Sequence, residues 1–177
     1  MKTPIWLAVL AVLIALPVVA CGQGIEWRLV NWKVRHDFPE VRRIAPDELS
    51  SWLSDNHRKQ PVLLDVRTKP EFDVSQIPGA RRIDPGADAS EIQLPKDQPI
   101  VTYCSVGYRS AALAKKLQEA GYKSVQNLSG SIFQWANEDR PLERNGRRVE
   151  KVHPYNATWG RLLKPERRAS TELPPAK

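Results

Sequence analysis

Short runs that are apolar on consecutive residues read as strands covered on both faces, and this chain has two: Pro61-Val62-Leu63-Leu64-Asp65-Val66 and Pro99-Ile100-Val101-Thr102-Tyr103. Helical patterns separate and follow them. Pro46-Asp47-Glu48 opens one helix with proline in its first turn and acids at the positive end of the dipole, and Leu49, Trp52 and Leu53 supply its buried face. Lys69-Pro70-Glu71-Phe72 begins a shorter one. A longer helix has Ala112, Leu113, Leu117 and Ala120 on one face, Lys115, Lys116 and Glu119 outward, and Gly121 as its C-terminal cap. Stretches 41–44, 81–83 and 125–128 read as further strands, the last of them being Val125-Gln126-Asn127-Leu128. Residues 84–95 read as loop, and 131–137 as a closing helix anchored by Ile132 and Trp135. Strands alternating with helices imply an α/β fold: a single domain built on a parallel sheet flanked by helices on both faces. About a hundred residues suffice for one such core.

Between the second apolar strand and the long helix stands Cys104-Ser105-Val106-Gly107-Tyr108-Arg109-Ser110. Ligands of parallel α/β sheets bind beyond the carboxyl ends of the strands, where Cys104 falls. A helix N-terminus offers unpaired backbone N–H groups and partial positive charge, and a thiolate is an anion that both stabilise. Arg109 adds a full charge, and Gly107 lets the loop curl with no side chain in the way. Cysteine alone in such a place is as readily a buried structural thiol; the Gly and Arg at this spacing, with a helix directly after, favour chemistry.

The loop resembles that of the rhodanese-like sulfurtransferases. Leu63-Leu64-Asp65-Val66-Arg67 with Glu71-Phe72 and Ile77-Pro78-Gly79-Ala80 resembles the family's upstream motif, and Leu128-Ser129-Gly130-Ser131 with Trp135 its closing one. The three motifs cover roughly residues 41–142, and Ser75-Gln76 stands where the family often has Gly-His. The resemblance implies a rhodanese-like catalytic domain that moves sulfane sulfur from a small anionic, thiosulfate-like donor to a thiol or cyanide acceptor through a persulfide on Cys104, with no cofactor. On that reading Arg109 attracts the donor and holds the thiolate. The backbone of Ser105, Val106, Gly107, Tyr108 and Ser110 binds substrate, Val106 and Tyr108 shape the entrance, and Asp65 and Arg67 organise the pocket rim. Two other readings stay open. Phosphatases and arsenate reductases of the related fold have five residues between Cys and Arg and a His before the Cys, against four and Tyr103 here. A membrane-tethered persulfide carrier or binding module would use the same loop with little turnover.

The flanks differ in composition. Lys2 followed by an apolar run over 5–20, broken only by Pro17, reads as a secretory signal or anchor over 1–21. Val18-Val19-Ala20-Cys21 resembles a bacterial lipoprotein signal, with Cys21 as the lipid anchor; an uncleaved single span and a cleaved signal are the rivals. Each places the domain outside the cytoplasm, attached to the membrane or free in the periplasm, and nucleic acid is not an expected partner. Residues 22–40 read as an amphipathic lead-in helix with Ile25, Leu29, Trp32 and His36 on one stripe, lying on a membrane surface or packed on the domain. From Arg140 onward ten Lys or Arg face four Glu, a surplus of six out of the chain's net +7. Residues 143–177 therefore read as a basic, Pro-containing extension, solvated in part, with the aromatic stretch 152–163 packing back on the domain. Two cysteines exclude a disulfide scaffold. His36, His57 and His153 are too scattered to suggest a metal site, and the glycosylation patterns at Asn127 and Asn156 read as chance.

Overall fold

A computed structural model describes residues 26–170. The 1–21 segment and Cys21 lie outside the described residues. Among the described ones the main sheet has five strands: β1 (Arg43–Ile44), β2 (Val62–Asp65), β3 (Arg81–Arg82), β4 (Ile100–Tyr103) and β5 (Val125–Leu128), in the order β1-β5-β4-β2-β3. Every pairing is parallel. Strand residues alternate between two cores. Leu63, Val101, Tyr103 and Leu128 face α2 (Pro46–Ser54) and α5 (Ser131–Asn137), joined by Leu49, Trp52, Ile132, Phe133 and Trp135. Leu64, Ile100 and Val125 face α4 (Tyr108–Glu119) through Leu113, Ala114 and Leu117. Helices thus cover both faces of a parallel sheet, which is why β2 and β4 carry apolar residues at successive positions.

α4 is set at both ends by glycine. Gly107 precedes it at φ +107°, and Gly121 follows at φ +88°. At the C-terminus the Tyr122 N–H donates to the Leu117 carbonyl and the Gly121 N–H to that of Gln118, the paired bonds that close a helix on a left-handed glycine. Its buried face runs through Ser110, Ala111, Leu113, Ala114 and Leu117, so Leu113 and Leu117 lie where expected, whereas Ala112 is half-buried and Ala120 exposed.

Two further features depart from expectation, and a third, the packing of residues 152–163 on the domain, meets it. A helix over 26–37, α1, packs on the domain, but through Trp27, Val30 and Val34. Leu29 and Trp32, on the stripe expected to lead the packing, are each 62% exposed, and Trp32 stacks on His36. Beyond β5 two more strands, β6 (Leu142–Arg144) and β7 (Arg147–Val149), form an antiparallel hairpin. Asn145 and Gly146 turn it at φ +51° and +72°, the geometry an Asn-Gly pair favours. The basic extension is folded through residue 170. Val152, Leu162 and Leu163 are buried in the core that holds Ile44 and Leu128, around a short α6 (Ala157–Gly160) capped by the Asn156 side chain.

Candidate active site

β2 and β4 run in register with Asp65 beside Tyr103, so their continuations, Arg67 and Cys104, leave the sheet at the same edge. The chain then turns through Ser105, Val106 and Gly107 into α4. The closing motif holds this turn from behind. The Ile132 and Phe133 N–H groups at the start of α5 donate to the Cys104 and Ser105 carbonyls, both at 3.1 Å, and the Ser131 hydroxyl accepts from the Cys104 N–H. With those carbonyls drawn outward, the loop's inner lining is N–H groups. The Gly107 N–H lies 3.2 Å from Cys104 Sγ.

Cys104 is a free thiol, 1% exposed. Burial pushes its pKa up, but the Arg109 charge and the Ser110 and Gly107 N–H groups outweigh it, and the net shift is below the ordinary thiol value. The thiolate is therefore favoured beside these donors.

Arg109 projects from the first turn of α4 onto Glu71 of α3 (Lys69–Val74), making a two-point pair at 2.8 and 3.0 Å. The Ser105 hydroxyl completes the triangle, donating to Glu71 at 2.7 Å and accepting from Arg109 at 3.0 Å. Glu71 is buried. Burial raises its pKa, yet the bonds from Arg109 and Ser105 and the Arg109 charge pull it down to about 2. Its second oxygen also accepts from the Thr68 N–H and hydroxyl, so one carboxylate closes the capping box of α3 and fixes Arg109.

Asp65 and Arg67, expected to organise the pocket rim, are enclosed within the domain. Both are fully buried, joined through two guanidinium nitrogens with the shortest contact at 2.6 Å. Arg67 also donates to the carbonyls of Glu71 and Ser75. The pair thus ties α3 to the end of β2, and α3 presents Glu71.

The remaining loop residues divide by role. The Ser110 hydroxyl donates to Asn127 Oδ1 at 2.7 Å, and Asn127 Nδ2 donates to the Gly107 carbonyl at 2.9 Å, so a buried amide on β5 clamps both ends of the turn. Val106 is buried between the first core and a cavity above Cys104. Tyr108 is half-exposed and its hydroxyl donates to Asp37 at 2.8 Å, which pins the end of α1 to the start of α4.

That cavity measures about 440 Å³ and has Cys104, Ser105 and Val106 at its base. Leu29, Val30, Lys33 and Val34 of α1 form one side, and Tyr155 and Trp159 of the extension another. Tyr155 holds φ +64°, unusual for an aromatic residue, with the Arg109 guanidinium 5.0 Å from its ring centre.

Glu71 and Asn127 are the residues whose place in the site sequence reading passed over. Glu71 was visible as the last position of Thr68-x-x-Glu71, a capping-box pattern; Asn127 carried no local signal, since its partners lie 17 and 20 residues away. Among the described residues no cluster of His, Cys, Asp or Glu is placed to hold a metal ion, and no helix is long and apolar enough to cross a membrane.

Comparison with known proteins agrees with the geometry. The family model described as "Rhodanese-like domain" matches residues 45–138. A protein from Allochromatium vinosum named "Sulfurtransferase" is 33% identical over 103 residues, which cover 58% of this chain and 94% of that one. The "Probable adenylyltransferase/sulfurtransferase MoeZ" of Mycobacterium tuberculosis is 38% identical over 101 residues, 55% of this chain but only 25% of its own length. Among solved structures, a rhodanese-like domain protein from Staphylococcus aureus superposes with a TM-score of 0.52 at 27% identity, covering 60% of this chain and all of that one. With the matched residues spanning β2 to β5, the cysteine loop and both arginines, this chain belongs to the rhodanese-like domain family.

Proposed function

We propose that the chain is a sulfurtransferase in which Cys104 carries the transferred sulfur. The observation that carries this reading is a free thiol of lowered pKa at the base of an open cavity, ringed by backbone donors at the start of a twelve-residue helix. The Cys104 thiolate attacks the outer sulfur of a donor of the thiosulfate type; the S–S bond to Cys104 forms as the donor's own bond to that sulfur breaks, and sulfite leaves with the electron pair. The Gly107 and Ser110 N–H groups stabilise the persulfide anion as they do the thiolate. A thiol or cyanide then takes the outer sulfur and regenerates Cys104. Arg109 acts here on the thiolate through its charge, and its two-point pair with Glu71 holds it in place. Four residues between Cys104 and Arg109 give a tight turn suited to a single sulfur atom. The apolar run at 5–20 and the Cys21 that follows support attachment outside the cytoplasm.

Intact mass of the 177-residue chain before and after thiosulfate tests the reading. A gain of one sulfur atom, removed by cyanide and missing in Cys104→Ser, is expected. A free, titratable Cys104 that gains nothing from thiosulfate or any other sulfane donor would overturn it.

A further inference from the structure

The cavity above Cys104 is much larger than a thiosulfate ion needs. At about 440 Å³ it falls in the range of roughly 300–1,000 Å³ that accepts organic ligands. Its walls are Leu29, Val30, Val34, Tyr155 and Trp159 over a base that includes Val106, and the two cations on it are already spoken for. Lys33 pairs with Asp37 at 2.8 Å and Arg109 with Glu71 at 2.8 Å. A doubly charged inorganic anion entering here gives up water and meets apolar surface, with each nearby cation held by a carboxylate. Exposure points the same way. Among the described residues the exposed large hydrophobic side chains are Leu29, Trp32, Tyr108, Tyr155 and Trp159, and four of these five line this one cavity. Apolar surface gathered in this way marks a binding site, whereas scattered single residues would not. Tyr155 is held there in a backbone conformation that an aromatic residue adopts at a cost, as residues at functional sites are.

We propose that the cavity seats the carbon body of an organic sulfur compound, so that the preferred donors and acceptors are sulfane donors and thiols bearing an apolar group. The assignment rests on the sulfurtransferase reading above and names its substrate class. With an alkanethiosulfonate, R–SO₂–S⁻, the Cys104 thiolate takes the outer sulfur, the S–SO₂ bond breaks, and R–SO₂⁻ leaves with the electron pair. The resulting Cys104 persulfide gives its outer sulfur to a thiol R′–SH, forming R′–S–SH and restoring the thiolate. R and R′ occupy the space between α1 and the 155–159 segment in turn.

The test is the rate of persulfide formation on the 177-residue chain, followed by intact mass, with methane-, butane- and hexanethiosulfonate and with thiosulfate. The three thiosulfonates share charge and leaving group, so their order reports seating of the carbon chain. We expect the second-order rate constant to rise about fourfold for each methylene buried, with butanethiosulfonate outrunning thiosulfate. In Leu29→Ser/Trp159→Ser, both changes at exposed positions, the rise with chain length should flatten. A flat or falling series in the wild type, or a rise that the double variant leaves unchanged, overturns the assignment while sulfur transfer stands. If no donor loads a titratable Cys104, sulfur transfer itself falls, and this assignment with it.

Discussion

The base of the site and its walls are built on opposite principles. The base is cross-linked by charge: Asp65 with Arg67, Glu71 with Arg109, and Ser105 between the last two, all within the segment that matches the family model. The walls are apolar, come from α1 and residues 155–159, and lie on either side of that segment. A buried charge network tolerates little change, because removing one partner strands the other in a low dielectric. An apolar wall fails by degrees. On the proposed function, reactivity and selectivity fall to separate stretches of chain, and mutations should sort accordingly.

The sharpest break is at the thiol. Cys104→Ser removes the proposed nucleophile while the hydroxyl fits the same space, so sulfur loading should vanish with the urea midpoint little changed; residual loading at the wild-type rate would mean that Cys104 is not the carrier. Next is Arg67→Ala. It leaves Asp65 buried and unpaired and frees the carbonyls of Glu71 and Ser75, which should cost about 3–5 kcal/mol in urea unfolding. A loss under about 1 kcal/mol would show that the base is less interlocked than its geometry implies.

Acid probes the same network without mutation. Glu71 has its folded pKa at about 2 against an ordinary 4.5, so between those values the unfolded chain binds a proton that the folded chain refuses. Its contribution is whole above pH 4.5 and is lost as pH falls towards 2, amounting to roughly 3 kcal/mol. Glu71→Gln should remove that part of the acid slope; a wild-type slope in the variant would place the titration elsewhere. The smallest effects belong to α1. Val34→Ala, on the packed stripe, should cost about 1–2 kcal/mol, whereas Trp32→Ala, on the outer stripe, should stay within about 0.5 kcal/mol. Reversal of that order in thermal melts would put the helix on the domain by its other face.

The sheet, α2 to α5 and the cysteine loop were legible because their signals are local: apolar runs at β2 and β4, proline at the start of α2, glycine on both sides of α4. What was not legible depended on distance or depth. α1 carries apolar residues on two stripes, and periodicity cannot say which meets the domain. Asp65 and Arg67 were read as a pair that supports the pocket, but their depth was not legible, since opposite charges near a strand end look alike whether exposed or enclosed. Glu71 shows its cap to the sequence, but its bond to Arg109 spans 38 residues. The β6–β7 hairpin is a different kind of miss. Asn145-Gly146 was a local turn signal, hidden by the basic composition around it.

The burial of Val152, Leu162 and Leu163 beside Ile44 and Leu128 also has a consequence in time. During synthesis the strands, the cysteine and its arginine leave the ribosome first, and the residues that finish the first core and wall the cavity, Tyr155 and Trp159 among them, arrive more than twenty positions after β5. The nascent thiol is thus formed before its enclosure is complete. For that interval Cys104 meets solutes that the mature cavity would turn away, and its protection in the cell depends on how quickly the last segment docks.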